Sequence, residues 1–139
     1  MRFIAARPDS CDGHGMREVR VVTVDDQPVF RDAARAIIEH TPQFALVGEA
    51  DEGTKALDVI READPDLVLL DVRLPGLDGI EVSKRLMQEA PERVVVLVSS
   101  DDPKELTPLA RTSGAAALLR KHWLTPRLLR GLWLAHRRR

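Results

Sequence analysis

The chain has 139 residues, one cysteine and a net charge of −1, with 21 Lys and Arg against 22 Asp and Glu. This length is typical of a single domain with its own buried core, and a lone cysteine excludes an intrachain disulfide. The balanced charge indicates no particular polyanionic partner, and no run of eighteen apolar residues occurs, so we predict a soluble cytoplasmic protein without a signal peptide or membrane segment.

Residues 1–17 show no periodic pattern and contain several Pro, Gly, Asp and Ser residues. We predict a flexible leader here, followed by one domain over residues 18–139. Cys11 and His14 are two soft ligands without a second pair, which is a poor zinc site. Met16 is an alternative start to Met1.

The first strand and helix are predicted from Val19 onward. A valine-rich strand ends at the acidic pair Asp25 and Asp26. Gln27 and Pro28 then open a helix, and Thr41–Pro42 ends it. The apolar positions of this helix are Val29, Phe30, Ala33, Ala34, Ile37 and Ile38.

A second strand is predicted at Phe44–Val47, with residues 48–53 as its loop, and a second helix at Ala56–Ala63. The apolar run Leu67–Leu70 predicts a buried third strand that stops abruptly at Asp71. Because ligands bind at the carboxyl ends of strands in open α/β sheets, Asp71 is a candidate functional carboxylate. The simpler alternative is that Asp71 only caps the following loop.

The remaining elements alternate in the same way. A third helix at Ile80–Met87 precedes a fourth strand at Val94–Val98, which ends in Ser99, Ser100, Asp101 and Asp102. Pro103 suits the first turn of a fourth helix that Pro108 should shorten or kink. A fifth strand at residues 115–119 ends in Arg120 and Lys121, and Thr125–Pro126 starts the last helix. Its inner face carries Leu128, Leu129, Leu132 and Trp133.

Five strand–helix alternations predict an α/β fold with a doubly wound parallel sheet. Right-handed crossovers place all the carboxyl ends of the strands on one edge, where the polar residues that follow the strands should meet. Converging carboxylates repel one another unless a cation offsets their charge, and Mg²⁺ is the natural hard partner. A lysine and a hydroxyl nearby suit phosphoryl oxygens, so the edge predicts phosphoryl transfer onto Asp71. The residues expected at this edge are Asp25, Asp26, Asp71, Ser99 and Lys121.

These motifs resemble the receiver domains of two-component response regulators. The resemblance runs from about Val19 to the C-terminus and rests on the acidic pair, on DVRLPGLDG from Asp71, on the strand that ends in Ser99 and on Lys121. The residues of these motifs are most similar to those of the NarL/LuxR-type branch. It implies a flavodoxin-like (βα)5 fold with strand order 2-1-3-4-5 and a phosphoacceptor domain rather than an enzyme.

The resemblance also implies a role for each matching residue. Asp71 corresponds to the phosphoacceptor, Lys121 to the conserved lysine, and Ser99, with Ser100 as the competing choice, to the switch hydroxyl. The metal set that it implies for Mg²⁺ is Asp26, Asp71, the backbone carbonyl of Arg73 and, through water, Asp25. The expected partners are a histidine kinase or phosphotransfer protein and an unidentified downstream protein, with a homodimer left open.

Two positions depart from the family pattern. Leu118 stands where receivers often carry an aromatic residue, and His122 replaces the usual proline after Lys121. These departures favour, as an alternative, a receiver-like interaction module that works without phosphate. A further alternative is the receiver part of a NarL/LuxR-type regulator without its DNA-binding domain.

We expect no direct DNA binding, since basic residues at the end of a helix commonly complement its dipole. Arg73 and the acidic pair also disfavour an aspartyl phosphatase or a flavin protein on this fold.

Overall fold

Stretches rich in Val and Leu form a five-stranded parallel sheet with the order β2-β1-β3-β4-β5 in the computed structural model, which describes residues 17–102, 104 and 106–137. The strands are β1 (Val19–Val24), β2 (Phe44–Ala50), β3 (Leu67–Asp71), β4 (Val94–Ser99) and β5 (Ala117–Arg120). The helices are α1 (Pro28–Glu39), α2 (Gly53–Ala63), α3 (Gly79–Glu89), α4 (Thr107–Thr112) and α5 (Pro126–His136). The predicted flavodoxin-like fold and its strand order are confirmed. Apart from Arg17, the predicted leader with Cys11, His14 and Met16 lies outside the described residues.

Two apolar layers cover the two faces of the sheet, which explains why β3 and β4 are buried along their whole length. On one face, α1 and α5 contribute Phe30, Ala34, Ile38 and Leu129 to the core. On the other face, α2, α3 and α4 pack, with Ile60 and Leu86 fully buried. No helix among the described residues combines the length and apolar character needed to cross a bilayer.

The spacing of apolar residues in α1 predicted its inner face only in part. Phe30, Ala34 and Ile38 are buried as expected, whereas Val29 is 81% exposed and Ala33 is exposed. Both lie on the outer side of the helix because the buried stripe follows a strict spacing of four residues.

The predicted loop at residues 48–53 is wrong. β2 continues through Gly48 to Ala50, and α2 already begins at Gly53. Gly48 is part of the strand because α2 packs directly on it: a Cβ at this position would lie 2.8 Å from Cγ1 of Val59. Glycine weakens most strands, but here Gly48 permits close packing of a helix against the sheet.

The fourth helix also differs from the prediction. α4 begins at Thr107 and has six residues, and Pro108 lies in its first turn, where the missing N–H has no intrahelical partner to lose. Pro108 therefore stabilises the start of the helix and does not kink it. Pro103, the predicted start, lies outside the described residues. β5 begins at Ala117, two residues later than predicted.

Candidate functional site

Three carboxylates meet at the edge of the sheet where the strands end. One ligand oxygen from each of Asp25, Asp26 and Asp71 can be chosen so that all three lie within 4.8 Å of one another. Asp25 is completely buried and Asp71 is 5% exposed, whereas Asp26 is open to solvent. The neighbouring positions of β1 and β3 produce this arrangement, since both strands end at the same level of the sheet.

Backbone groups fix the two buried carboxylates. The backbone N–H of Gln27 donates to Oδ1 of Asp25 over 2.8 Å, and the backbone N–H of Arg73 donates to Oδ1 of Asp71 over 3.1 Å. Each aspartate thus closes a tight turn directly after its strand. The capping role considered for Asp71 is real, but it uses only one of the two carboxylate oxygens.

Lys121 lies between the two buried acids. Its Nζ is 2.7 Å from Oδ2 of Asp25 and 3.3 Å from Oδ2 of Asp71. A 3₁₀ turn over Lys121–Trp123 follows β5 and begins with this lysine. The structure therefore brings Asp25, Asp26, Asp71 and Lys121 together, as the sequence predicted.

Two further residues contact Lys121, and the sequence predicted for them only a place at the start and on the inner face of the first helix. Oε1 of Gln27 accepts a hydrogen bond from Nζ over 2.9 Å, and the ring centroid of Phe30 lies 5.0 Å from Nζ. Both come from the start of α1. The signal was weak: a glutamine at a helix N-cap is unusual, because Ser, Thr, Asp and Asn are preferred there.

Ser99 ends β4 and is buried, whereas Ser100 is exposed. Oγ of Ser99 accepts a hydrogen bond from the backbone N–H of Asp101 over 3.0 Å. Of the two candidate hydroxyls, burial therefore favours Ser99 over Ser100. Above it, Nη2 of Arg73 and Oδ2 of Asp101 form an exposed ion pair of 3.0 Å that joins the loops after β3 and β4.

Burial raises the pKa of Asp71 from the ordinary 3.8 to about 6, and the negative charge of Asp25 adds to this shift. The positive charge of Lys121 and the N–H of Arg73 lower the pKa and offset only part of the rise. The ammonium of Lys121 thus does not offset both the burial of Asp71 and the charge of Asp25.

We predict that this ionisation makes stability depend on pH. Because the pKa of Asp71 is higher in the folded chain, its stabilising contribution is complete below about pH 4 and is lost as the pH rises through about 6. The free energy of unfolding of Asp71→Asn, minus that of the unsubstituted chain, should therefore rise by on the order of 2 kcal/mol from pH 4 to pH 7. Urea unfolding in metal-free buffer measures the difference, and a difference independent of pH would contradict the assignment.

The donor set fits a hard divalent cation. Oδ2 of Asp25 is buried and takes no well-aligned hydrogen bond, although Nζ of Lys121 lies close to it. Mg²⁺ commonly binds a few protein carboxylates and completes its coordination with water. The three carboxylates lie at a suitable spacing, and that of Asp26 is open to solvent. Arg73, two residues after Asp71, lies in the same turn.

Comparisons with known proteins agree with this geometry. Residues 21–132 match the family model of the response regulator receiver domain. The chain is 39% identical over 105 residues to the "Probable transcriptional regulatory protein NarL" of Mycobacterium tuberculosis (strain ATCC 25618 / H37Rv). The matched region covers 75% of this chain and 48% of that protein. It is 35% identical over 105 residues to a protein-glutamate methylesterase/protein-glutamine glutaminase of Syntrophus aciditrophicus (strain SB), covering 74% of this chain and 30% of that protein.

Among solved structures, the signal receiver domain of the response regulator NarL from Mycobacterium tuberculosis is similar, with a TM-score of 0.78 and 34% identity over 86% of this chain and 95% of that chain. This chain spans less than half the length of the two curated relatives, whose remaining parts it does not match. The family model nevertheless covers most of its residues. The chain therefore belongs to the response regulator receiver domain family.

Proposed function

We propose that the chain is a response regulator receiver domain, located in the cytoplasm, that accepts one phosphoryl group on Asp71. The donor is a histidine kinase or a phosphotransfer protein, and the signal leaves through altered protein contacts. The observation that carries this proposal is the position of Asp71, a buried carboxylate that shares the ammonium of Lys121 with Asp25.

The chemistry follows from these groups. Oδ2 of Asp71, the oxygen that faces Lys121, attacks the phosphorus of a phosphohistidine, an O–P bond forms as the P–N bond breaks, and the imidazole leaves with the electron pair. Lys121 offsets charge on the phosphoryl oxygens, and the hydroxyl of Ser99 donates to one of them. Asp25, Asp26, Asp71 and the carbonyl of Arg73 would hold Mg²⁺, which would supply further charge neutralisation.

The rim of the pocket suits a protein donor. Val29 is 81% exposed and follows Gln27 by two residues, and Trp123 is 48% exposed and follows Lys121 by two residues. Exposed tryptophan side chains are typical anchors in protein interfaces. Trp123 lies in the 3₁₀ turn that begins with Lys121, and Val29 lies in the first turn of α1, whose N-cap residue Gln27 contacts this lysine. This placement supports a donor that docks over the pocket.

The response is expected at α4 and β5. A phosphoryl group adds about 1.5 to 2 negative charges. Ser99 and the loop that follows it then shift towards the phosphoryl group. That loop leads into α4, a helix of six residues that buries Ala110. Leu118 of β5 packs partly buried in the same layer. We therefore propose that the downstream protein contacts this surface, and that no catalytic output is needed beyond phosphotransfer and slow hydrolysis of the acyl phosphate.

Intact-mass spectrometry after incubation with acetyl phosphate and Mg²⁺ tests the proposal. The expected result is a gain of one phosphoryl group, which is absent when a chelator replaces Mg²⁺ and is removed by hydroxylamine, as an acyl phosphate should be. A chain that gains no phosphoryl group from acetyl phosphate or from a phosphohistidine protein would contradict it.

One observation favours a second candidate, a receiver-like module that binds its partner without phosphate. Leu118 and His122 replace the aromatic residue and the proline expected in the family, and His122 forms only an edge contact with the exposed Trp123, at 6.2 Å between ring centroids. The same mass measurement separates the two candidates, since only the first takes up phosphate.

A further inference from the structure

Gln27 is the N-cap residue of α1, but its side chain does not cap the helix. An N-cap side chain ordinarily accepts a hydrogen bond from an N–H of the first turn, and Gln27 makes no such bond. Its backbone N–H donates to Oδ1 of Asp25, and Oε1 accepts from Nζ of Lys121 over 2.9 Å. The side chain is thus directed away from the helix and towards the lysine of the pocket.

The three acceptors around Lys121 are of two kinds. An ammonium has three donors, and Nζ lies within hydrogen-bond or ion-pair distance of Asp25, Asp71 and Gln27. Asp25 and Asp71 are carboxylates that a divalent cation would also use, so the lysine and the cation compete for the same oxygens. Gln27 is uncharged and belongs to no carboxylate cluster, so its oxygen remains open to the lysine.

Phe30 adds to this neutral side of the pocket. Its ring is 9% exposed, and its centroid lies 5.0 Å from Nζ of Lys121, within the range of a cation–π contact. Gln27 and Phe30 are three residues apart at the start of α1, so one turn of chain provides both contacts. Neither contact depends on the charge of the carboxylates.

We infer that Gln27 is a positioning residue that retains Lys121 at the pocket when a divalent cation and a phosphoryl group occupy the carboxylates. The inference rests on the proposed phosphoryl transfer and adds its regulation by the cation. Binding of the cation shifts Lys121 from Asp25 and Asp71 to Gln27, where its ammonium still faces the phosphoryl oxygens. Without Gln27, the repelled ammonium moves out to solvent.

The first test is NMR detection of lysine side-chain ammonium groups in the presence of Mg²⁺, with the Lys121 signal assigned by its loss in Lys121→Met. In the unsubstituted chain, this signal should remain protected from exchange with water, unlike that of the exposed Lys84. In Gln27→Met, which keeps length and removes the acceptor, the signal should broaden beyond detection. Gln88→Met, on the exposed surface of α3, is the matched control. An equally protected Lys121 signal in Gln27→Met overturns the inference.

The second test is a double-mutant cycle on the rate of phosphorylation by acetyl phosphate. Gln27→Met should lower the rate about tenfold, the effect typical of one hydrogen bond to a charged group, and should lower it no further in a Lys121→Met background. Equal losses in both backgrounds would show that Gln27 acts without Lys121. If the unsubstituted chain takes up no phosphate, the proposed function fails, while the NMR comparison still decides the role of Gln27.

Discussion

Replacing Asp71 with Asn should abolish the uptake of a phosphoryl group from acetyl phosphate and Mg²⁺. The substitution keeps the volume and the acceptor for the N–H of Arg73, but an amide oxygen is not a nucleophile for phosphorus at neutral pH. Because Asp25 faces Lys121 through its own oxygen, it remains in place beside the substituted residue. Intact-mass spectrometry measures the loss, which should be complete on the time scale of full labelling of the unsubstituted chain.

A second aspartate in the loop after β3 provides the matched control. Asp78 is exposed, and its Oδ1 caps α3 by accepting from the N–H of Glu81 over 2.9 Å. Asp78→Asn preserves a cap and should gain the phosphoryl group as the unsubstituted chain does. Labelling of Asp71→Asn at the normal rate would place the acceptor elsewhere and remove the basis of the proposed function.

Replacing Gly79 with Ala should destabilise the fold by about 3 kcal/mol or more, as expected for a backbone clash in a buried position. A Cβ on Gly79 would lie 2.1 Å from the carbonyl oxygen of Asp71 and 2.9 Å from Cα of Val72. The N–H of Gly79 also donates to the carbonyl of Val72 over 2.9 Å, so the start of α3 cannot shift without breaking this bond. Urea or thermal unfolding measures the change, and Mg²⁺ affinity should fall with it because the Arg73 carbonyl lies in the same loop.

Gly131→Ala is the control for that substitution. Gly131 is an exposed residue within α5, and a Cβ there would meet nothing within 4 Å. Alanine should therefore stabilise the chain by about 0.5 to 1 kcal/mol through its higher helix propensity. Equal unfolding free energies for the Gly79 and Gly131 variants would mean that the turn after Asp71 can move enough to accommodate the added Cβ.

The elements buried on both faces were predictable from the sequence. β3 and β4 were each placed within one residue, because unbroken runs of Leu and Val occur in fully covered strands. The meeting of Asp25, Asp71 and Lys121 followed from the rule that parallel strands present their carboxyl ends on one edge. Topology alone thus brings distant residues together.

Features that depend on side-chain geometry were not predictable. Gly48 reads as a loop residue, yet it lies in β2 because Val59 occupies the space that a side chain would need. Pro108 reads as a helix breaker until the helix is known to begin at Thr107. The bond between Gln27 and Lys121 joins residues 94 positions apart, and no periodicity in either segment indicates it.

Helix α4 buries little apolar surface, and this makes it easier for such a chain to acquire new partners in evolution. Leu109 is 54% exposed on this helix, and Ala110 is its buried residue. Substitutions on the outer side of α4 therefore remove little buried surface, and none of the pocket residues Asp25, Asp71 and Lys121 lies on this helix. A duplicated copy of this chain could change the protein that it recognises by drift at this helix alone, while keeping the same chemistry.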